Sequence, residues 1–371
     1  MADPTIPVEL LPSDGRFGAG PSRIPAAALD ELVRLGGDVL GTSHRQAPVR
    51  DQVHRLREGM RTLFGLPEGY EVLVTVGGAT AMWDALAYGV VEERSRHYAF
   101  GEFSAKFAKV TAGAPWLDAP DVVEAVPGTA PTPSAAPGCD VQAWTHNETS
   151  TGVMLRPERL DDALVVVDAT SGAGGLPFDP SDVDLYYFSL QKGFAADGGL
   201  TVALASPAAV ERIDRIAAGD RYVPAFLDLA TVVENSRKDQ TYNTPAIATI
   251  VLARVQVEAM LAAHGDLAGV VRHQRAKAEH LYGWAESRPW AAPFVTDPAA
   301  RSLVVGTVDL DGVAADDVNR VLRAHGVVDT DPYRKLGRNQ LRVAFFPAVP
   351  LADVEAYTAC VDHVVAALQA G

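Results

Sequence analysis

Only six lysines occur in the 371-residue chain, and one of them, Lys192, follows directly on the apolar run of residues 185–190 and precedes a glycine-rich turn. Ligands of open α/β sheets bind at the carboxyl ends of strands, so the residues that close each apolar run are the place to look for chemistry. They are Gly77, Gly78, Ala79 and Thr80 after residues 71–76, Phe103 shortly after 97–100, and Thr149 after 141–146; Asp168 lies at the end of 164–169, and Gln191 and Lys192 follow 185–190. The stretch GGAT at a strand-to-helix junction offers backbone donors and a hydroxyl to a phosphate. Phe103 brings an aromatic face, Thr149 a hydroxyl, and Asp168 a carboxylate at the end of a buried strand.

A phosphate cradle, a stacking ring, a carboxylate and a strand-end lysine are together what pyridoxal phosphate needs. The lysine condenses with the cofactor's aldehyde, and desolvation or a nearby cation makes its amine nucleophilic at neutral pH. A carboxylate against the pyridine nitrogen keeps that ring protonated and able to accept electrons. Each element alone has a plainer reading. A strand-end lysine can be a solvated loop residue, Asp168 can cap its own turn, and GGAT can be a tight turn. The other lysines fit the chemistry less well. Lys106 and Lys109, three apart on an amphipathic helix, read as a surface face; Lys277 lies in another helix and Lys238 in the polar run SRKDQ, which leaves Lys335, in YRKLGR, as the one other lysine in a candidate functional cluster.

The elements that must position these groups follow from the pattern of apolar residues. Strand-like runs at 71–76, 97–100, 141–146, 164–169, 185–190 and 200–205 alternate with helix-period segments, the sign of an α/β fold with a mostly parallel sheet. Residues 115–138 hold six prolines and read as a surface connection with one short strand at 122–126. From Thr244 a Thr-Pro pair opens a long apolar-faced helix to Gly265, and a compact α+β unit follows. The expected division is an extension over 1–16, a large domain over 17–265 and a small C-terminal domain over 266–371.

Composition excludes several function classes. A net charge of −15 opposes nucleic acid and anionic membranes as partners. Cys139 and Cys360, the only two cysteines, show no paired spacing, so neither a disulfide framework nor a cysteine-based zinc site is expected, and no metal is assigned. The first residues lack the basic start and apolar core of a signal peptide, and no uninterrupted apolar stretch reaches the length of a membrane span. The expectation is a soluble, cytoplasmic protein.

The ordered motifs FGAGPSRIP, GTSHR, GGAT, NETSTG, DATSG, SLQKG and YNTP resemble the phosphoserine aminotransferases, within the class V aminotransferases of pyridoxal-phosphate fold type I. The resemblance runs from Phe17 to the end of the chain. It implies a large domain with a mostly parallel seven-stranded sheet flanked by helices, plus a smaller C-terminal α+β domain. It also implies that Lys192 carries the cofactor, Asp168 faces the pyridine nitrogen, Phe103 stacks on the ring, and Thr149 bonds its phenolic oxygen. Ala79, Thr80 and Gln191 would contact the cofactor phosphate, and Asn243 and Thr244 would reach the phosphate held by the other subunit of a homodimer with shared sites. His44 and Arg45 would bind the substrate's distal anion and Arg342 its α-carboxylate, for a reaction between 3-phosphoserine with 2-oxoglutarate and 3-phosphooxypyruvate with glutamate. 4-Phosphohydroxythreonine is a further substrate that the resemblance implies.

Two departures from the family stand out. Many members have tryptophan where this chain has Phe103, which keeps the flat face and loses only the indole donor. Many carry an arginine in the phosphate loop, here GGATA, so Arg334 or Lys335 in DPYRKLGRNQLR is the expected replacement cation. Two rivals stay open: another class V enzyme, of alanine–glyoxylate or cysteine desulfurase type, and a noncatalytic α/β anion-binding protein. Desulfurase chemistry fits poorly, because Cys139 borders the proline-rich connection and Cys360 lies in the last helix.

Overall fold

Proline and glycine punctuate the first helices of the computed structural model, which describes residues 4–370. Helix α1 (Ala26–Val39) starts after Pro25, and α2 (Ala47–Phe64) has Pro48 in its first turn and ends at Gly65, whose φ of 58° is the left-handed value of a helix stop. Strands and helices then alternate: β1 (Glu71–Val76), α3 (Ala79–Gly89), β2 (Ser95–Ala99), α4 (Glu102–Ala112), β3 (Asp121–Glu124) and β4 (Val141–Thr145). A small hairpin, β5 (Asn147–Glu148) and β6 (Val153–Met154), leads into β7 (Leu164–Asp168), β8 (Leu185–Ser189) and β9 (Leu200–Ala205). After α5 (Pro207–Ala217) and α6 (Leu229–Ser236) come the long helices α7 (Ile247–His264) and α8 (Leu267–Glu286). The chain finishes with β10 (Ala291–Pro293), β11 (Val305–Leu310), α9 (Ala315–Ala324), β12 (Gln340–Ala344) and α10 (Leu351–Ala370).

Seven strands form one sheet in the order β1-β9-β8-β7-β4-β2-β3, parallel except where β9 runs antiparallel to β1 and β8. Strands β4, β7, β8 and β9 are buried along their whole length. Helices cover both faces, which is why these runs read as continuously apolar rather than alternating. The period of two still sorts the side chains. Val165, Val167, Tyr186 and Phe188 pack toward Leu56 of α2 and Val257 of α7, whereas Val166, Leu185 and Tyr187 pack toward Met82 of α3 and Phe107 of α4. Each fully buried aliphatic or aromatic side chain contributes roughly 1.5–3 kcal/mol. This two-sided burial makes the strand ends a rigid platform.

A second sheet, β10-β11-β12, is antiparallel and packs with α8, α9 and α10. The start of the chain docks here too. Ile6 is buried and its N–H donates to His325, Ser13 donates to the Asp353 carboxylate at 2.8 Å, and the Phe17 carbonyl accepts from Ala344 N–H at 2.9 Å. The first three residues of the expected N-terminal extension lie outside the described residues.

Two sequence expectations need correction. Helix α7 opens at Ile247 with Ala246 as its cap, so Thr244 and Pro245 stand outside it in irregular backbone. This helix is also 18 residues long with a mean hydropathy of 1.4, enough by length and composition to span a membrane, although Arg254, Gln256 and Glu258 interrupt its apolar run. Its apolar surface is used inside the protein. Most of it is buried, and Arg254, 2% exposed, is tied to Glu31 at 2.8 Å and Glu258 at 2.7 Å. The helix is apolar on nearly all sides, not on one face, because it fills the layer beneath α1 and α2.

Candidate active site

Three residues beyond the end of β8, Lys192 stands in the wall of a cavity of about 270 Å³ that Thr80, Phe103, Thr149, Asp168 and Gln191 also line. Lys192, Phe103 and Thr149 border a larger cavity of about 630 Å³ as well, whose far walls carry Arg16, Tyr333 and Arg342. Close backbone approach sets the lysine's course. A Cβ on Gly193 would stand 2.1 Å from the Ala173 carbonyl oxygen, so only glycine lets the turn pack there. The motif around Gly20 closes the other side, with Ser22 N–H donating to the Gln191 carbonyl at 2.7 Å. Lys192 is open to the cavity on one side, yet protein surrounds its ammonium, and burial lowers its pKa to about 8; Asp168 opposes the shift and Arg342 adds to it.

Asp168 ends β7 and is 5% exposed. Its Oδ1 accepts from Thr170 N–H at 2.9 Å and its Oδ2 from Trp83 Nε1 at 2.8 Å. Burial raises its pKa, against the pull of those bonds and of Lys192. On the neighbouring hairpin, Thr149 Oγ1 donates to Ser171 Oγ at 2.7 Å, and Ser171 donates to the Asn147 carbonyl at 3.0 Å, so the threonine hydroxyl is aligned by its neighbours. Glu148 is fully buried and accepts from Phe103 N–H, Ser104 N–H and both the Ser104 and Ser150 hydroxyls. A carboxylate at a helix start satisfies otherwise unpaired amides, and here it fixes the first turn of α4, hence the Phe103 ring.

In the wall of the same smaller cavity, α3 begins with Gly78 as its cap residue and no side chain capping its first amides. Ala79 and Thr80 line the wall there. An uncapped helix start leaves amides free to donate to an anion, and this one lines the cavity that holds Lys192.

Arg342, on β12, places a guanidinium nitrogen 3.4 Å from the Thr149 carbonyl and stacks 5.5 Å over the Tyr333 ring, and its Nε is buried without a protein partner. Burial lowers its pKa. Arg334 is exposed, and Lys335 pairs with Glu102 at a separate hollow; neither lines the cavities at Lys192. His44 Nδ1 lies 3.3 Å from Thr244 Oγ1, which joins two motifs 200 residues apart, and burial lowers the histidine's pKa with Arg45 adding to the effect. Arg45 and Asn243 are exposed beside them. None of these four residues lines the cavities of its own chain.

Sequence reasoning missed Trp83, gave Ser171 and Gly20 no individual role, and read Lys106 as surface. Lys106 lines the smaller cavity, 5.7 Å from the Phe103 ring centre and 3.1 Å from Glu102. Helical spacing was the available signal. Lys106 is one turn beyond Phe103 and Trp83 one turn beyond Ala79, so each shares a face with a residue already singled out.

The family model for aminotransferase class V matches residues 132–329, a span that includes Asp168 and Lys192. A phosphoserine aminotransferase of a Nocardioides species is 57% identical over 366 residues, covering 97% of this chain and 98% of that protein. The chain belongs to the phosphoserine aminotransferases of class V. Among solved structures of that family, the enzyme of Cytophaga hutchinsonii superposes with a TM-score of 0.87 at 26% identity, covering 93% of this chain and 97% of that one. The pyridoxal-phosphate-bound phosphoserine aminotransferase of Trichomonas vaginalis shares the fold, with a TM-score of 0.78 at 19% identity, covering 94% and 99% of the two chains.

Membership in class V implies pyridoxal phosphate, and the cavity fits it. Buried Ser189 Oγ, Gln191 Oε1 and Asn147 Oδ1, on residues lining the smaller cavity, have no partner among the described residues, as expected of groups that serve a polar ligand. The cavity thus brings together the backbone at the start of α3, the carboxylate at the end of β7 and the amine that follows β8.

Proposed function

We infer that this chain interconverts 3-phosphoserine plus 2-oxoglutarate with 3-phosphooxypyruvate plus glutamate, using pyridoxal phosphate. The observation that carries this reading is that Lys192, Asp168 and the uncapped start of α3 open on one cavity. Pyridoxal phosphate, when bound, supplies an aldehyde and an electron-accepting ring for moving an amino group between amino and oxo acids.

The chain's own residues do the rest. Lys192, with its pKa brought to about 8, holds and returns the proton of the substrate's α carbon as general base and acid. Asp168 keeps a proton at the pyridine nitrogen. Phe103 covers one face of the site and excludes water there. Arg342, whose Nε has no partner among the described residues, grips the α-carboxylate as a planar fork.

In this reading a second copy supplies His44 and Arg45 toward the distal phosphate, and Asn243 and Thr244 toward the cofactor phosphate. His44, Arg45, Asn243 and Thr244 gather away from their own cavities, beside the exposed ring of Tyr242. A homodimer that carries them to the partner's site accounts for both facts. The same anion pocket extends the substrate class to 4-phosphohydroxythreonine and so to vitamin B6 synthesis.

The test is a glutamate assay with the purified, cofactor-loaded chain. Glutamate formed from 2-oxoglutarate with 3-phosphoserine, and at least about 100-fold less with serine or alanine, supports the reading. Equal rates with the unphosphorylated amino acids would move the protein to another class V activity. A chain that never takes up the cofactor would favour the anion-binding alternative.

A further inference from the structure

Trp83 lies on α3, one helical turn after Ala79 of the phosphate cradle, and its indole N–H donates to Asp168 Oδ2 at 2.8 Å. The indole is 4% exposed and stacks on Phe107, with ring centres 5.8 Å apart and planes 17° from parallel. Phe107 is in turn held edge-on by His97 and Tyr187. Burial and stacking restrict the indole to few rotamers. The other carboxylate oxygen is held by Thr170 N–H at 2.9 Å, so the plane of Asp168 is set by two donors from two different elements.

One helix thus lines the cavity through both its first and its second turn. Its first turn leaves amides uncapped at the cavity wall, and its second turn donates to the carboxylate assigned above to the ring nitrogen. We propose that Trp83 is a positioning residue that locks Asp168 toward the cofactor ring and ties that carboxylate to the phosphate-binding helix, a role that rests on the pyridoxal-phosphate reading above. The indole N–H also puts partial positive charge beside the carboxylate. Without it the site becomes more negative and retains its protons to higher pH.

The experiment compares the parent chain, Trp83→Phe and Phe107→Leu, all full length and loaded with pyridoxal phosphate. Trp83→Phe keeps a buried ring and removes the donor. Phe107→Leu loosens the same packing and leaves the donor in place. Two quantities are read: the cofactor Kd, from titration of the apoprotein, and the pH midpoint of the long-wavelength absorbance band. Trp83→Phe should weaken the cofactor by about tenfold and raise the midpoint by about half a pH unit or more. Phe107→Leu should lower the melting temperature and leave the midpoint within 0.2 units, a bound set by roughly the precision of such titrations.

An unchanged Kd and midpoint in Trp83→Phe, or an equal midpoint shift in Phe107→Leu, would overturn the proposal while leaving the cofactor reading intact. A parent chain with no such band would overturn both. If Trp83→Phe does not fold, the indole ¹⁵N–H resonance of Trp83 in the parent chain replaces it. Slow solvent exchange and a shift on adding pyridoxal phosphate support the role, and a resonance indifferent to the cofactor refutes it.

Discussion

Gly20 lies flat against the side chain of Lys192: a Cβ there would stand 2.7 Å from Lys192 Cε. Gly20 also has a φ of 135°, which side-chain-bearing residues rarely adopt. Gly20→Ala should therefore push the lysine off its line and strain the turn at once. Uptake of pyridoxal phosphate, followed by its visible absorbance, should fall at least about tenfold, with a loss of roughly 1–3 kcal/mol in stability to denaturant. Wild-type uptake in this variant would mean that the segment at Gly20 does not hold the lysine.

The depressed pKa of Lys192 has a sign that can be checked. Burial disfavours the ammonium, so in the cofactor-free chain the amine is neutral above about pH 8, not only above the usual lysine range. Trace acetic anhydride should label Lys192 at a rate that rises about tenfold per pH unit up to about 8 and then levels, read by mass spectrometry. Asp168→Asn removes the charge that favours the ammonium, so its curve should move to lower pH. A parent midpoint near 10 would contradict the assignment of Lys192 as the activated amine.

Arg342→Ala should raise KM for both amino-acid substrates by about 10–100-fold and leave cofactor absorbance unchanged, because the fork serves the carboxylate and not the cofactor. Arg342→Lys should recover little of this, since an ammonium cannot make two parallel bonds. Loss of cofactor from Arg342→Ala would assign the residue elsewhere.

Lys106 and Lys335 both pair with Glu102, but only Lys106 lines the cavity at Lys192. With no arginine in the GGATA loop, Lys106 is the lysine placed to meet an anion there. Lys106→Gln should raise KM for 3-phosphoserine by about tenfold and that for glutamate less, whereas Lys335→Gln should change either by less than about twofold. The reverse ranking would return the role to the exposed loop.

Shared sites can be tested by mixing subunits. Lys192→Ala and Arg45→Ala chains, each inactive as homodimers on this reading, should regain activity when unfolded together and refolded, because half of the sites in a mixed dimer are intact. No recovery beyond either parent would place Arg45 outside the partner's site.

Much of this was legible in the chain alone. Unbroken apolar runs bounded by glycine define buried strands, connectivity puts their carboxyl ends on one edge, and Lys192, Asp168 and Thr149 then have to meet there. Sequence order also marked the Gly-Gly turn before α3 as an anion site. The tertiary structure decided matters of aim. Periodicity places Trp83 and Lys106 on helix faces, but only the packing of α3 and α4 against the sheet turns one toward Asp168 and the other toward the cavity at Lys192. It likewise set His44 beside Thr244 and left Lys335 on Glu102, contacts between segments far apart in the chain. The physical reason is range. Apolar periodicity is a local property that says which side of an element is buried, whereas the partner it is buried against depends on how whole layers interlock.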